Sequence, residues 1–99
     1  MAENTLRVIA RVKAQANKVE ELRSALSSLV EPTRKEPGCF SYILLQNNED
    51  PTDFTLVEEW ESKQAFESHL ASKHFKDAGV KLPGLVAAKA DIRLYHLVR

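Results

Sequence analysis

Apolar and polar residues alternate along TLRVIARVK, from Thr5 to Lys13: Leu6, Val8, Ala10 and Val12 on one side, Arg7, Ile9, Arg11 and Lys13 on the other. A period of two marks a β-strand with two different faces. Asn17, with Glu20 three residues on, then offers a capping box. Val19, Leu22, Leu26, Leu29 and Val30 follow at helical spacing and predict an amphipathic helix to about Glu31, which Pro32 ends or kinks. Glu36-Pro37-Gly38 forces a turn. CFSYILLQ, Cys39 to Gln46, predicts a second strand that is apolar on both faces. The polar NNEDPTD predicts a hairpin loop, and FTLVEEW, Phe54 to Trp60, a third strand. Ser62 caps a second helix in which Ala65, Phe66, His69 and Leu70 share a stripe. Ser72 restarts a short helix through Phe75 and Ala78, broken by Gly79 and then Leu82-Pro83-Gly84. AKADIRLYHLV, Ala88 to Val98, closes the chain as a fourth strand.

The order strand, helix, strand, strand, helix, strand, with a central hairpin and right-handed crossovers, is the split βαβ, ferredoxin-like arrangement. The predicted class is α+β: one four-stranded antiparallel sheet with its helices on one face, forming a single domain over residues 1–99. Strand alternation leaves Ile9, Val57, Tyr95 and Leu97 on the other face, among Arg7, Arg11, Glu59 and Arg93. That much apolar area calls for cover. A second copy of the sheet about a two-fold axis is the simplest, so the expectation is a homodimer through the open sheet face.

Composition narrows the function classes. Fourteen basic residues balance fourteen acidic ones, which provides no overall field for nucleic acid or an anionic membrane. No apolar run approaches the roughly 20 residues of a membrane span, and MAENTLRV lacks the blocks of a signal peptide. Cys39 is the only cysteine, so no internal disulfide can form, and a cytoplasmic location is expected. In its strand setting, with no histidine nearby in sequence, Cys39 is read as a small packed side chain.

The candidate chemistry lies between Leu56 and Phe75. Glu58 shares its strand face with Phe54, Leu56 and Trp60, so its carboxyl is paired, hydrogen-bonded or protonated. It is a candidate acid or base, and equally a structural partner. Glu59 faces the arginines and suits an ion pair. Trp60 is either a core aromatic or the wall of a pocket for an aromatic ligand. His69, on the buried stripe three residues after Phe66, is either a satisfied core histidine or a proton carrier. His74 falls between helical pieces and should be partly exposed; His96 has no evident role. Glu58, His69 and His74 make a poor metal set, because histidines five apart across a helix break lack the spacing that aims both at one ion. There is no phosphate loop, nucleophile elbow or dinucleotide fingerprint.

KEPGCFSY followed by FTLVEEWESKQAFESHLASKHFK resembles the antibiotic biosynthesis monooxygenase family. Glu36, Gly38, Tyr42, Glu58, Trp60, His69, His74 and Phe75 carry the resemblance, which spans nearly the whole chain. It implies a dimeric α/β-barrel and, in some members, oxidation of quinols or polyketide phenols by molecular oxygen without metal or flavin. The haem-degrading branch fits poorly: its first-strand asparagine is missing, and its tryptophan and histidine fall at His69 and Gly79. A sugar-processing branch shares the glutamate and both histidines and stays open. The resemblance therefore implies a small aromatic substrate and no cofactor. Glu58 or His69 would be the base, and Trp60, Tyr42, Phe66 and His74 would contact the substrate. An isomerase or lyase acting on a small carbonyl compound or phosphosugar, or a binding module without turnover, would use the same residues.

Overall fold

In the computed structural model, which describes residues 5–99, β1 (Leu6–Lys13) leads into α1 (Val19–Arg34), and β2 (Cys39–Gln46) and β3 (Asp53–Trp60) form the hairpin. Then come α2 (Lys63–Leu70), α3 (Lys73–Lys81), a 3-10 turn at Leu82–Gly84 and β4 (Asp91–Tyr95). The sheet order is β2-β3-β1-β4 and every pairing is antiparallel, which is the ferredoxin-like order predicted above. Residues 1–4, part of the stretch read for a leader, lie outside the described residues. Among the described residues, no helix is long and apolar enough to cross a membrane.

The strand alternation is realised residue by residue. Val8 pairs with Glu58 and Leu94, Ala10 with Leu56 and Ile92, and Tyr42 with Glu58, so all of these share the face towards the helices. Against that face α1 buries Leu22, Ala25, Leu26 and Leu29. The open face carries Ile9, Ile43, Leu45, Val57 and Tyr95, with Arg7 Nε 3.6 Å from Glu59 Oε2.

Three helix boundaries differ from the sequence-based expectation. Pro32 lies inside α1, which continues to Arg34. A proline in the last turn removes only one hydrogen bond where the helix is ending anyway. The N-cap of α1 is Lys18, with no side-chain cap bond, so Asn17 and Glu20 make no capping box. Gly79 is carried through α3 rather than breaking it. Ser62 and Ser72, by contrast, cap α2 and α3 as expected, accepting from Ala65 N at 3.1 Å and Phe75 N at 3.3 Å.

β4 departs most. It spans five residues rather than the expected Ala88–Val98, because its partner β1 begins at Leu6 and offers little ladder beyond the Arg7–Tyr95 pair. Ile92 and Leu94 face the helix side, yet remain 46% and 45% exposed, since the helices cover β1, β2 and β3 but leave this edge strand bare. The uncovered apolar surface therefore wraps around β4, and is wider than the open face alone.

Candidate functional site

The turn after α1 sets the first piece of the site. Gly38 sits at φ 84°, where an L side chain is strained. A Cβ there would stand 2.7 Å from Ala65 Cβ. Only glycine lets the turn close on the start of α2, where Gly38 O accepts from Glu61 N at 2.7 Å. Docked this way, the turn aims the Glu36 side chain at the last turn of α2 and the first turn of α3.

The second piece is the break between α2 and α3. Ser72 ends one helix and starts the next: its Oγ donates to His69 O at 2.7 Å while accepting from Phe75 N. The resulting change of axis brings His74 back toward His69. Both histidines reach one carboxylate oxygen: Glu36 Oε2 is 2.7 Å from His69 Nδ1 and 2.6 Å from His74 Nε2. These are the lengths of charge-assisted hydrogen bonds. The spacing argument against a shared target for His69 and His74 thus fails, and the acid they share is Glu36, not Glu58.

His69 is 1% exposed and stands among aromatic rings. Trp60 lies at 4.9 Å between centroids, Phe75 at 5.0 Å, Tyr42 at 5.6 Å and Phe66 at 6.3 Å. Burial pulls the His69 pKa below the ordinary histidine value, while the Glu36 hydrogen bond and charge pull it back up. Burial thus favours the neutral imidazole. With Nδ1–H donating to the carboxylate, the lone pair is on Nε2, which makes no hydrogen bond among the described residues.

Glu58 is buried beside this group without touching it through a hydrogen bond. Trp60 Nε1–H donates to Glu58 Oε1 at 2.9 Å. Burial raises the Glu58 pKa to about 7, against the lowering effect of that bond and with a smaller push from the Glu36 charge. Glu58 thus fixes the indole that packs on His69. Tyr42 is also buried, and burial followed by the Glu58 charge drives its hydroxyl well above the ordinary tyrosine value. Cys39 remains a partly buried thiol, its pKa raised by burial and then by Glu36 and Glu58.

The structure therefore gathers Tyr42, Trp60, Phe66, His69 and His74 into one cluster, with Tyr42, Trp60 and Phe66 packed around the imidazole. Glu58 joins it through Trp60. Pattern and spacing give Glu36 no chemical role, although it belongs to the turn that carries the resemblance. It lies 33 residues from His69 and 38 from His74, beyond any local spacing rule. The signal that could have found it is the forced Pro-Gly turn immediately behind an acid.

The family model for antibiotic biosynthesis monooxygenases matches residues 5–80, which hold the whole of this cluster. The chain belongs to that family. A Bacillus subtilis relative named "Putative monooxygenase YcnE" is 30% identical over 83 residues, covering 84% of this chain and 87% of its own. An uncharacterized Synechocystis protein is 29% identical over 97% of this chain, which spans 65% of that protein's length. Among solved structures, a Pseudomonas aeruginosa protein superposes with a TM-score of 0.93 at 28% identity, covering 100% of this chain and 99% of its own. A structure described as an antibiotic biosynthesis monooxygenase gives 0.89 at 29% identity, over 95% and 99% of the two chains. The monooxygenase family and its α+β ferredoxin-like fold agree with the expectation from the sequence.

Proposed function

We propose that the protein is a cofactor-independent monooxygenase that oxidises a small electron-rich phenol or quinol with molecular oxygen, and that His69 is its base. The observation that carries this is the single carboxylate oxygen of Glu36 held by both His69 Nδ1 and His74 Nε2. It fixes the neutral tautomer with its lone pair on Nε2 and stabilises the imidazolium that forms when a proton arrives. His69 Nε2 takes the phenolic proton. The phenolate, a far better electron donor than the phenol, passes one electron to oxygen, and the radical pair combines into a carbon–oxygen bond. Loss of the adjacent C–H proton together with hydroxide then releases water. The sum is phenol plus oxygen giving quinone plus water: the substrate surrenders four electrons, one oxygen atom stays in the product and the other leaves in water.

Tyr42, Trp60 and Phe66 keep water from the imidazole, which favours the radical pair over its escape. His74 and Phe75 are less buried and mark the side from which a substrate approaches. Glu58 acts through Trp60 as a positioning residue. A panel of reduced naphthoquinols and hydroxylated polyketide phenols under ¹⁸O₂, read by mass spectrometry, tests the reaction. Labelled quinone above the level of His69→Ala and of protein-free autoxidation is the expected result. Rearranged, unlabelled product made equally well without oxygen would replace this reaction with isomerisation by the same base. Substrates left intact would leave a binding module.

The working unit is proposed to be a homodimer through the open sheet face. Ile9, Ile43, Leu45, Val57 and Tyr95 are apolar there, and Arg7 Nη1 is buried without a hydrogen-bond partner among the described residues. Val57→Glu places a charge in the middle of that face, on the central strand β3, and should weaken the dimer by about 100-fold or more, the scale of a lost interface anchor. Light scattering behind size-exclusion chromatography reads it directly. A wild-type protein that elutes at the single-chain mass on dilution only as far as the mutant does would refute the interface.

A further inference from the structure

We propose that Glu36, His69 and His74 form a binding site for a divalent transition-metal ion of the zinc class. One ligand atom each from Glu36, His69 and His74 lies within 4.8 Å of the other two, and Glu36 Oε2 already touches His69 Nδ1 and His74 Nε2. They come from three separate segments: the turn before β2, the last turn of α2 and the first turn of α3. The Gly38 turn and the double-acting Ser72 cap hold those segments in place. Convergence of this kind is costly to build for two hydrogen bonds alone, and it gives a pre-formed set of three ligands.

The donor chemistry selects the ion. Two imidazole nitrogens and one carboxylate oxygen suit zinc, cobalt, nickel, iron or copper, whereas calcium and magnesium require mostly oxygen. Tetrahedral bonds of about 2.0–2.1 Å separate ligand atoms by roughly 3.3 Å. The present contacts of 2.7 and 2.6 Å need to open by roughly 0.6–0.7 Å, with the two imidazole nitrogens adjusting to the same spacing, to admit the ion. His74 and Glu36 side chains are 25% and 12% exposed, so solvent reaches one side and can supply the fourth ligand. The other side is closed by the buried rings of Trp60 and Phe66. The aromatic surround contributes no fourth donor.

A consequence follows that rests on His69 being the base. A metal on Nδ1 leaves the ring proton on Nε2, the nitrogen that must accept the proton from substrate. The ion would silence the base reversibly, so the same three residues would work either as a hydrogen-bonded base or as a metal site.

The test uses the full chain after chelator treatment. Cobalt(II) is titrated while the visible d–d bands are recorded, and zinc is then used to displace it. One cobalt per chain, with bands of tetrahedral intensity, is expected. Glu36→Gln and His74→Ala should each weaken binding by at least about tenfold, and His96→Ala should leave it unchanged. Circular dichroism establishes that each variant is folded; if one is not, the other carries the comparison. Absence of saturable cobalt or zinc binding at sub-millimolar concentration overturns the site, as does equal binding by wild type and both variants. Binding without inhibition of a turnover demonstrated on metal-free protein would keep the site and remove the base role of His69 Nε2. Absence of any turnover leaves the binding result standing by itself.

Discussion

Glu36→Gln lowers kcat on a phenolic substrate by about 100- to 10,000-fold while KM stays near the wild-type value, the range for loss of a positioned proton-transfer group. The effect comes from one atom. Oε2 of the carboxylate accepts from His69 Nδ1 and from His74 Nε2. The amide that replaces it is uncharged and presents an NH₂ as readily as an oxygen. Facing the NH₂, the His69 ring moves its proton to Nε2 and loses the lone pair that takes the substrate's proton. Facing the oxygen, it keeps the tautomer but loses the negative charge that stabilises the imidazolium. Either way the loss falls on the proton-transfer step and not on substrate affinity, so the kcat-against-KM split is diagnostic. His74→Ala leaves the bond to His69 in place and should cost about tenfold or less. Turnover in Glu36→Gln within threefold of wild type, with the fold retained, would sink the assignment of His69 as a base oriented by Glu36.

How much of this was legible from the sequence depends on the distance over which the signal acts. Val8, Leu56 and Glu58 on one face, and Ile9, Val57 and Glu59 on the other, follow from a period of two, and the observed register keeps each on its predicted side. Ser62 and Ser72 are legible because an N-cap bond closes within three residues. Cover is not local. Ile92 and Leu94 occupy the predicted face and are still exposed, because whether a helix reaches an edge strand depends on the width of the whole sheet. The site divides in the same way. Pattern and resemblance point to Tyr42, Trp60, Phe66, His69 and His74, and the structure brings them together. Their organiser, Glu36, enters only through the resemblance, since nothing in KEPG says that its carboxylate will meet two histidines from a distant helix pair. Likewise the i, i+5 spacing of His69 and His74 excludes a common target only on a continuous helix, and Ser72 interrupts it.

Glu58→Gln raises the stability of the protein above pH 7, and the gain disappears near pH 4.5. Glu58 is 3% exposed, and its pKa is raised from 4.5 to about 7, chiefly by burial. The folded state therefore holds this proton over a range in which the unfolded chain has already released it. Stability from Glu58 is fully present below pH 4.5, declines as pH rises through the folded value near 7, and then levels off. The interval corresponds to about 3 kcal/mol, and about 1–3 kcal/mol after relaxation of the site. Glutamine resembles the protonated acid: its amide oxygen can accept from Trp60 Nε1–H, and it carries no charge at any pH. For a domain of this size the gain should appear as a rise in Tm of about 5–15 °C at pH 8. Thermal melts of both proteins across pH 4.5 to 8 give two curves that meet at the acid end and separate toward the alkaline end. Curves separating in the opposite sense would mean that Glu58 is ionised and paired in the folded protein. Its carboxylate would then be available as a second base beside His69, and the indole of Trp60 would be held by a charge rather than by a neutral acid.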